Sequence, residues 1–238
     1  DCLLAPDAAA MRSGLSGLEV GCLRAPTAAR RRNRLKDCTL CLITTPCEDL
    51  VQRVEAACRG GVAMVQYRCK AGNDLERLQD AVALKQLCHR HGALFIMNDR
   101  IDLALAVDAD GVHLGQDDLP PAIARRLLGA DRLIGRSTHS LDQVQQAQSE
   151  PIDYIGLGPV HTTAVKPERT AIGLGTIKAA LPLSHLPVFA IGGINSENLP
   201  SLMASGCGRI AVIGAVMSAP DSAQACREVL QTLSPSRI

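Results

Sequence analysis

Short apolar runs alternate with amphipathic segments along most of this chain. Eight runs have the near-continuous hydrophobicity of strands that are buried on both faces, which is typical of a parallel sheet. These predicted strands span residues 39–44, 63–67, 93–98, 111–114, 133–137, 154–158, 188–193 and 209–214. Apolar residues that recur every three or four positions predict helices over residues 50–59, 75–90, 141–149 and 222–233. Two helix starts have the spacing of capping boxes, at Asn73 with Glu76 and at Ser140 with Gln143.

The alternation of strands and helices indicates the fold class. Eight strand–helix units in a chain of 238 residues favour an α/β protein with a (β/α)8 TIM barrel, for which about 250 residues is typical. A doubly wound open sheet is the alternative. That fold needs no eighth strand, however, and it usually has a glycine-rich turn after the first strand. Residues 44–46 contain no glycine, so the barrel is the better prediction.

The first 36 residues do not follow this alternation. They combine an Ala-rich stretch with a basic cluster formed by Arg30, Arg31, Arg32, Arg34 and Lys36. We expect residues 1–36 to be an N-terminal extension, helical or disordered, that covers the bottom of a barrel domain spanning residues 37–238. A targeting or partner-binding arm is the alternative. Because the chain starts with Asp rather than Met, it could also be part of a longer protein.

Composition and charge exclude two classes of partner. The chain has 25 basic and 24 acidic residues, no Trp, two Tyr and two Phe, so it lacks the basic, aromatic surface that nucleic-acid binding needs. No apolar stretch reaches the ~18 residues of a membrane-spanning helix. Arg12, Ser13 and Glu19 interrupt the Ala-rich stretch and spoil it as a signal-peptide core. We therefore expect a soluble, cytoplasmic protein without nucleic-acid or membrane partners.

The ten cysteines are scattered through apolar runs and predicted helices. Cys38 and Cys41 form the one C-x-x-C pair in the sequence, and no second pair matches it. A zinc or redox site would need more ligands at suitable spacing. We therefore expect reduced thiols that behave as small buried apolar side chains.

Polar and charged residues follow the predicted strands at the points where these strands end. In a (β/α)8 barrel the carboxyl ends of all strands share one rim, where reactive groups are placed. This rim would receive Gln66, Arg68, Lys70, Asn98, Asp99, His113, Gln116, Asp118, Ser137, His139, His161, Thr162, Thr163, Lys166, Gly192, Gly193, Ile213 and Gly214. Cations, carboxylates and glycine backbone would therefore meet at one mouth.

Such a combination suits phosphorylated ligands. Arg68, Lys70 and Lys166 supply the positive charge that a diphosphate needs. The carboxylates of Asp99 and Asp118 suit Mg2+, which prefers one or two carboxylates together with phosphate oxygens and water. Glycines after the last two strands are placed where barrels bind a phosphate monoester through backbone N–H groups. Structural explanations also exist: the two aspartates could cap helices, and Arg68 and Lys70 could form structural salt bridges.

Six blocks of the sequence resemble the thiamin phosphate synthase family. They are VQYRCK at 65–70, NDRIDLALAVDADGVHLGQDDLP at 98–120, LIGRSTHS at 133–140, DYIGLGPV at 153–160, AIGGI at 190–194 and AVIGAV at 211–216. The resemblance implies that the chain joins 4-amino-5-hydroxymethyl-2-methylpyrimidine diphosphate to 4-methyl-5-(2-hydroxyethyl)thiazole phosphate, giving thiamin monophosphate and pyrophosphate. In the family's dissociative mechanism the bond to pyrophosphate breaks first, and the thiazole nitrogen then captures the pyrimidine methylene cation.

The resemblance also implies roles for individual residues. The metal ligands for Mg2+ would be Asp99 and Asp118. The diphosphate would contact Arg68, Lys70, Asn98 and Lys166, and the pyrimidine would contact Gln66, His113 and Ser137. The thiazole phosphate would lie on Thr163, Gly193, Ile213 and Gly214. Four of these residues would act in catalysis, namely Arg68, Lys70, Ser137 and Lys166.

Two positions depart from the family pattern. Val165 stands where the family has the second Thr of a Thr-x-Thr-Lys motif, so a hydroxyl donor is missing. If nothing replaces that hydrogen bond to a charged group, the loss is roughly ten- to hundredfold in activity. Gly214 stands where the family often has Ser. This change removes a side-chain donor but keeps the backbone N–H.

Two other functions remain open from the sequence. A thiazole tautomerase of the same barrel family would carry a working His in place of Pro159 and would lack the carboxylate of Asp99, whereas His161 could still move protons. A barrel that binds a thiamin precursor without turnover is suggested by Val165 and opposed by the two metal carboxylates. Barrels of this type often self-associate, so a homo-oligomer is also an expectation.

Overall fold

The computed structural model describes residues 27–162 and 170–234. Eight strands lie in this part of the chain: β1 (Leu40–Ile43), β2 (Met64–Tyr67), β3 (Leu94–Asn98), β4 (Gly111–Leu114), β5 (Leu133–Thr138), β6 (Tyr154–Leu157), β7 (Val188–Ile191) and β8 (Ile210–Val212). Each strand pairs in parallel with its neighbour in chain order, and β8 pairs with β1 to close the barrel. The predicted α/β class and (β/α)8 barrel are confirmed.

Helices surround the barrel and connect its strands. They are α1 (Ala28–Asp37), α2 (Leu50–Arg59), α3 (Asp74–Arg90), α4 (Ile101–Ala106), α5 (Pro121–Leu128), α6 (Leu141–Ala147), α7 (Gly173–Ala180), α8 (Leu199–Ala204), α9 (Gly214–Met217) and α10 (Ser222–Leu233), with a 3-10 turn at Leu181–Leu183. Among the described residues, no helix is both long and apolar enough to cross a bilayer.

Most element boundaries agree with the hydrophobic pattern to within two residues. The last two strands end earlier than predicted, at Ile191 and Val212. After β7 the chain turns at Gly192 and Gly193, whose φ angles of 102° and 64° are those that glycine adopts without steric cost. The apolar run there therefore continues beyond the hydrogen-bonded strand and forms the wall of the mouth.

The capping predictions differ in outcome. At α3 the full capping box is present, because the Asn73 side chain accepts from the Glu76 amide and the Glu76 carboxylate accepts from the Asn73 amide. At α6 the Ser140 hydroxyl accepts from the Gln143 amide. The Gln143 carbonyl oxygen accepts from the amide of His139 instead of Ser140. The capping box predicted at Ser140 and Gln143 is therefore confirmed for the N-cap bond and wrong for the reciprocal bond.

Strand side chains alternate between two apolar layers, as the two-residue period of a strand requires. The outer layer packs against the helices. The inner layer fills the barrel and consists of Cys41, Ile43, Met64, Leu94, Ile96, Leu133, Tyr154, Phe189 and Ala211, joined from below by Leu35 and Cys38. Towards the ends of β2 to β5 the inward side chains become polar, so the packed interior stops below the mouth on that side. At β7 and β8 it continues with Ile191 and Ile213.

Helix α1 lies across the bottom of the barrel. Its Leu35 is 3% exposed and belongs to the inner layer, and its Arg31 is 4% exposed. The Arg31 Nε lies 2.9 Å from the Oδ1 of Asp110, a fully buried residue just before β4. Part of the basic cluster near the start of the chain is thus built into the barrel. The predicted boundary between an extension over residues 1–36 and a barrel domain stays a prediction, because residues 1–26 lie outside the described part of the chain.

The C-x-x-C pair is buried at the same end. Both Cys38 and Cys41 are free thiols, and burial raises the pKa of Cys38 to about 12. A protonated thiol is neither a metal ligand nor a reactive nucleophile. These two cysteines therefore serve as small apolar core residues, as expected.

Candidate active site

Four polar residues point into the mouth from four neighbouring strands. Gln66, Asn98, His113 and Ser137 line one cavity together with Arg68 and His139. Asn98 pairs with His113 across β3 and β4, and Gln66 and Ser137 have the same inward parity on β2 and β5. The predicted pyrimidine-binding residues are therefore brought together above the apolar layer.

The floor of this cavity is a chain of hydrogen-bonded side chains. The Ser137 Oγ lies 3.0 Å from His113 Nε2, and the Tyr154 hydroxyl lies 3.3 Å from His113 Nδ1. The Gln66 side chain also interacts with the same hydroxyl. Because each ring nitrogen of His113 has a partner, the orientation of this ring is set from below by Tyr154 and from above by Ser137.

Two glycines make room for these rings. A Cβ at Gly135 would collide with the Tyr154 ring and lie 2.5 Å from His113 Nδ1, and a Cβ at Gly156 would lie 3.2 Å from His113 Cε1. The ring centroids of His113 and Tyr154 are 5.5 Å apart. Tyr154 was not among the residues singled out from the sequence. Its inward parity on β6 and its polar tip were the signals that could have identified it.

The two predicted metal carboxylates meet at one side of the mouth. Asp99 follows β3 with a φ of 63°, a left-handed conformation that Asp tolerates better than most residues. Burial, a hydrogen bond with Asp118 and the charge of Asp118 raise the pKa of Asp99 to about 6, against the opposing effects of Lys70 and Arg68. The Oδ2 of Asp118 accepts a bond of 2.6 Å from the Gly115 amide.

Helix capping does not explain these carboxylates. The N-cap of α4 is Arg100 and the N-cap of α5 is Pro120, and neither helix start receives a side-chain cap. Asp99 and Asp118 instead approach one another. Like charges in contact are unfavourable unless a cation or a shared proton compensates them, so this arrangement suits a cation-binding site.

The predicted cations of β2 lie beside the carboxylates. The Lys70 Nζ is 3.7 Å from Asp99 Oδ2, and its side chain is 62% exposed. Arg68 is half-buried, its amide donates to the Thr44 hydroxyl, and its side chain forms no salt bridge with a carboxylate that the structure describes. Structural ion pairing therefore occupies Lys70 only weakly and leaves the Arg68 guanidinium available for an anion.

A second pocket lies next to the first, at the ends of β7 and β8. It is lined by Thr45, Thr162, Gly192, Gly193, Ile194, Asn195, Ile213, Gly214 and Ser218, among others. A Cβ at Gly193 would lie 2.5 Å from the Thr162 carbonyl oxygen, so only glycine fits at this turn. The predicted phosphate residues Gly193, Ile213 and Gly214 are thus close together. Thr163, Val165 and Lys166 lie outside the described residues.

The two pockets share part of their walls. Ile191, Gly192, Ala211 and Ile213 line both of them. A planar polar ligand in the first pocket and a phosphorylated ligand in the second would therefore touch. This arrangement fits a reaction that joins two substrates.

Comparisons with known proteins agree with this geometry. A family model described as thiamine monophosphate synthase matches residues 40–216. The chain is 64% identical over its full length to the thiamine-phosphate synthase of Synechococcus sp. (strain CC9605), of which it covers 68%. It is 62% identical over 98% of its length to the thiamine-phosphate synthase of Parasynechococcus marenigrum (strain WH8102), of which it covers 67%.

A solved structure is similar at the level of both fold and sequence. It is the thiamine phosphate pyrophosphorylase from Pyrococcus furiosus, with a TM-score of 0.77 and 36% identity over 85% of this chain and 96% of that one. A crystal structure of 3-hexulose-6-phosphate synthase has a TM-score of 0.61 at 14% identity, which shows the shared barrel fold only. The chain belongs to the thiamine monophosphate synthase family and is a transferase.

Proposed function

We propose that the chain joins the pyrimidine diphosphate to the thiazole phosphate at the mouth of the barrel, and releases pyrophosphate. The observation that carries this proposal is the shared wall of the two pockets. One pocket offers polar side chains, cations and two carboxylates, and the other offers glycine backbone. A diphosphate-bearing ring and a monophosphate-bearing ring could therefore lie side by side, with their reacting atoms directed at each other.

The diphosphate is the leaving group, and its charge grows as the carbon–oxygen bond breaks. Arg68 and Lys70 lie on one side of the mouth and would bind this charge, together with the amide of Asn98. Groups that are already aimed at developing charge are the main source of electrostatic catalysis. No protein nucleophile is required, because the pyrimidine cation is captured directly by the thiazole nitrogen.

Asp99 and Asp118 would hold Mg2+ together with the diphosphate. Among the described residues, no cluster of three or more His, Cys, Asp or Glu could bind a metal without help. Two carboxylates with the remaining positions filled by phosphate oxygens and water are the usual environment of this ion. Burial and the neighbouring Asp118 raise the pKa of Asp99 to about 6, and a divalent cation would relieve the repulsion between the two carboxylates. The bound ion would supply positive charge to the leaving group.

The floor residues would hold the pyrimidine. Gln66 and Ser137 offer one donor and one acceptor group each to the edge of a ring, and His113 holds the Ser137 hydroxyl in place at 3.0 Å. Aminopyrimidine edges present alternating donors and acceptors, so this set suits them. A fixed ring places the methylene carbon towards the second pocket. That alignment replaces random encounter with an ordered capture step.

The thiazole phosphate would bind in the second pocket. Backbone N–H groups around Gly193, Ile213 and Gly214 would hold its phosphate. Thr163 and Lys166 are assigned to the phosphate groups by the resemblance to the family. A cytoplasmic location and a homo-oligomeric state stay predictions from the sequence.

The proposal is tested by a coupled assay of the purified chain with both phosphorylated precursors, with and without Mg2+. We expect Mg2+-dependent release of pyrophosphate and thiamin monophosphate in equal amounts. No turnover with thiazole phosphate still bound would favour a binding protein. Proton exchange into a thiazole carboxylate phosphate, without pyrophosphate release, would favour a tautomerase.

A further inference from the structure

Arg136 is a buried cation whose one salt bridge with a described carboxylate is long. It lies on β5 opposite Leu114 of β4 and is 8% exposed. The nearest carboxylate oxygen in the described residues is Glu150 Oε2, 3.8 Å from Arg136 Nε, and this Nε forms no hydrogen bond with any described group. By contrast, the buried Nε of Arg31 is 2.9 Å from Asp110. An incompletely paired buried charge reduces the stability of the folded protein. The hydrogen bonds that Arg136 does form therefore indicate its role.

The guanidinium of Arg136 is connected to the turn that carries Asp118. Its Nη1 donates to the carbonyl oxygen of Gly115. The same carbonyl oxygen accepts from the amide of Asp118 at 3.4 Å, and the Gly115 amide donates to the Asp118 Oδ2 at 2.6 Å. A Cβ at position 115 would lie 3.0 Å from that oxygen. Backbone and side chain of residues 115–118 therefore form one small closed turn, with Arg136 bonded to it from outside.

A second bond fixes this turn to the same strand. The Gln116 side-chain amide donates to the carbonyl oxygen of Ser137. Arg136 and Ser137 are consecutive on β5, so the turn is held to β5 at two points. One of these two bonds comes from the charged guanidinium of Arg136, and hydrogen bonds from charged donors are stronger than those from neutral donors.

We propose that Arg136 is a positioning residue that holds the Gly115 turn and thereby orients the Asp118 carboxylate towards Asp99 for Mg2+–diphosphate binding. This inference rests on the proposed function, because it takes Asp118 as a metal ligand. It adds a residue that neither lines the cavity nor belongs to the predicted site. Weakening the Arg136 contact should loosen the metal end of the site and leave the glycine-lined phosphate pocket unchanged.

The test measures binding of inorganic pyrophosphate with Mg2+ and with EDTA, and of inorganic phosphate, by calorimetric titration of the full chain. The variants are Arg136→Met, Arg136→Lys and Asp118→Asn. Glu150→Gln is the matched control, since it removes the negative charge 3.8 Å from Arg136 Nε and leaves the bond to Gly115. Arg136→Met should weaken Mg2+-dependent pyrophosphate binding by about tenfold, the scale of one charge-assisted hydrogen bond. Arg136→Lys should restore part of this loss.

Other readouts separate positioning from general stability. Inorganic phosphate binding should stay within about twofold of wild type, and Glu150→Gln should keep pyrophosphate binding even if its melting temperature falls. Equal loss of pyrophosphate and phosphate binding in the Arg136 variants would overturn the proposal, as would wild-type pyrophosphate binding. If Arg136→Met does not fold, Arg136→Lys is judged by the same two criteria.

Failure of the proposed function would look different. Pyrophosphate would then bind wild type equally well with Mg2+ and with EDTA, and Asp118→Asn would have no effect. Mg2+-dependent binding in wild type that is lost in Asp118→Asn, but kept in both Arg136 variants, would leave the proposed function standing and refute the positioning role.

Discussion

At the bottom of the barrel, Arg31, His89 and Asp110 form a buried cluster with contacts of 2.9 Å and 2.8 Å to the two carboxylate oxygens. At the mouth, Asp99 faces another carboxylate, and its one salt bridge with a described cation is the 3.7 Å contact with the exposed Lys70. The charges of this bottom cluster satisfy each other, whereas Asp99, Asp118 and Lys70 are incompletely paired and remain available to a ligand. Further out at the mouth end, Arg100 pairs tightly with Asp74 and Asp102. The first arrangement supports folding and the second supports binding, as expected for the two ends of this fold.

The bottom also holds its charges in networks rather than isolated pairs. Asp153 accepts from Arg32 at 2.9 Å and from Arg125 at 2.7 Å, and its second oxygen also accepts from the Ile134 amide. These bonds join α1, α5 and the start of β5 and β6. The difference between the ends predicts that mutations at the bottom reduce stability, whereas mutations at the mouth reduce turnover.

The largest effect is expected for Asp110→Ala. This change leaves Arg31 and His89 buried without their carboxylate, which costs about 3–5 kcal/mol in the free energy of unfolding. Turnover per folded molecule should be unchanged. Denaturant unfolding and an assay normalised to folded protein measure both quantities. A large fall in kcat with unchanged stability would contradict the assignment of this cluster to folding.

At the mouth, Asp99→Asn should act in the opposite way. Asn tolerates the φ of 63° and keeps the shape of the side chain, but it removes a metal-binding charge. We expect kcat to fall by about 10²–10³-fold, the usual loss for one electrostatic group in an active site. The melting temperature should not fall, because the contact with Asp118 loses its repulsion. Thiazole phosphate binding should be kept, and an equal loss of turnover and of thiazole phosphate binding would refute the separation of the two pockets.

Gly135→Ala tests the floor that lies between the two ends. Its Cβ would meet the Tyr154 ring and lie 2.5 Å from His113 Nδ1, and overpacking of this kind costs about 1–3 kcal/mol. The free energy of unfolding should fall, and the KM for the pyrimidine should rise. Gly208→Ala is the matched control, since nothing lies within 4 Å of its Cβ. If the two variants have similar stability and a similar KM, the positions of the Tyr154 and His113 rings are not tightly fixed.

The bottom cluster also predicts a pH dependence. Burial raises the pKa of Asp110, but the hydrogen bonds and charge of His89, with the Phe95 amide and Arg31, outweigh it and hold this pKa below its ordinary value. Asp110 therefore contributes stability above the unfolded pKa of about 3.9, and this contribution is lost as the pH falls towards the folded pKa. The advantage of wild type over Asp110→Ala should shrink below about pH 4. Unfolding curves at several pH values would show it, and a constant difference would contradict the role of this carboxylate.

The smallest effect is expected at Gly214. A Cβ there would have only the Ser218 Oγ in range, at 3.8 Å, so a side chain fits. Gly214→Ser should tighten inorganic phosphate binding by about two- to tenfold. This is less than the usual value of a hydrogen bond to a charged group, because residue 214 is exposed and water competes for the phosphate. Gly214→Ala controls for the backbone change. If both variants bind phosphate equally, the hydroxyl does not reach the ligand.

Several features of the site could be predicted because they depend on local spacing. The positions of Gln66, His113 and Ser137 follow from strand parity, and those of Asp99 and Asp118 follow from the ends of apolar runs. Strand parity also directs Tyr154 inward, but its contact with His113 depends on the empty space at Gly135 and Gly156. That space is formed by neighbouring strands and is not visible in any one of them.

The two ends of the barrel show what the sequence determines and what the tertiary structure determines. By itself, the sequence determined the barrel class, most element boundaries and the residues at the mouth, because hydrophobic period and strand ends are local properties of a chain. Only the tertiary structure decided which charges are paired. Arg31 and Asp110 are 79 residues apart and meet in a buried bond, whereas the one described carboxylate near the buried Arg136 is that of Glu150, at 3.8 Å. The contribution of a charged side chain to stability or binding depends on its burial and its partners, and long-range packing determines both.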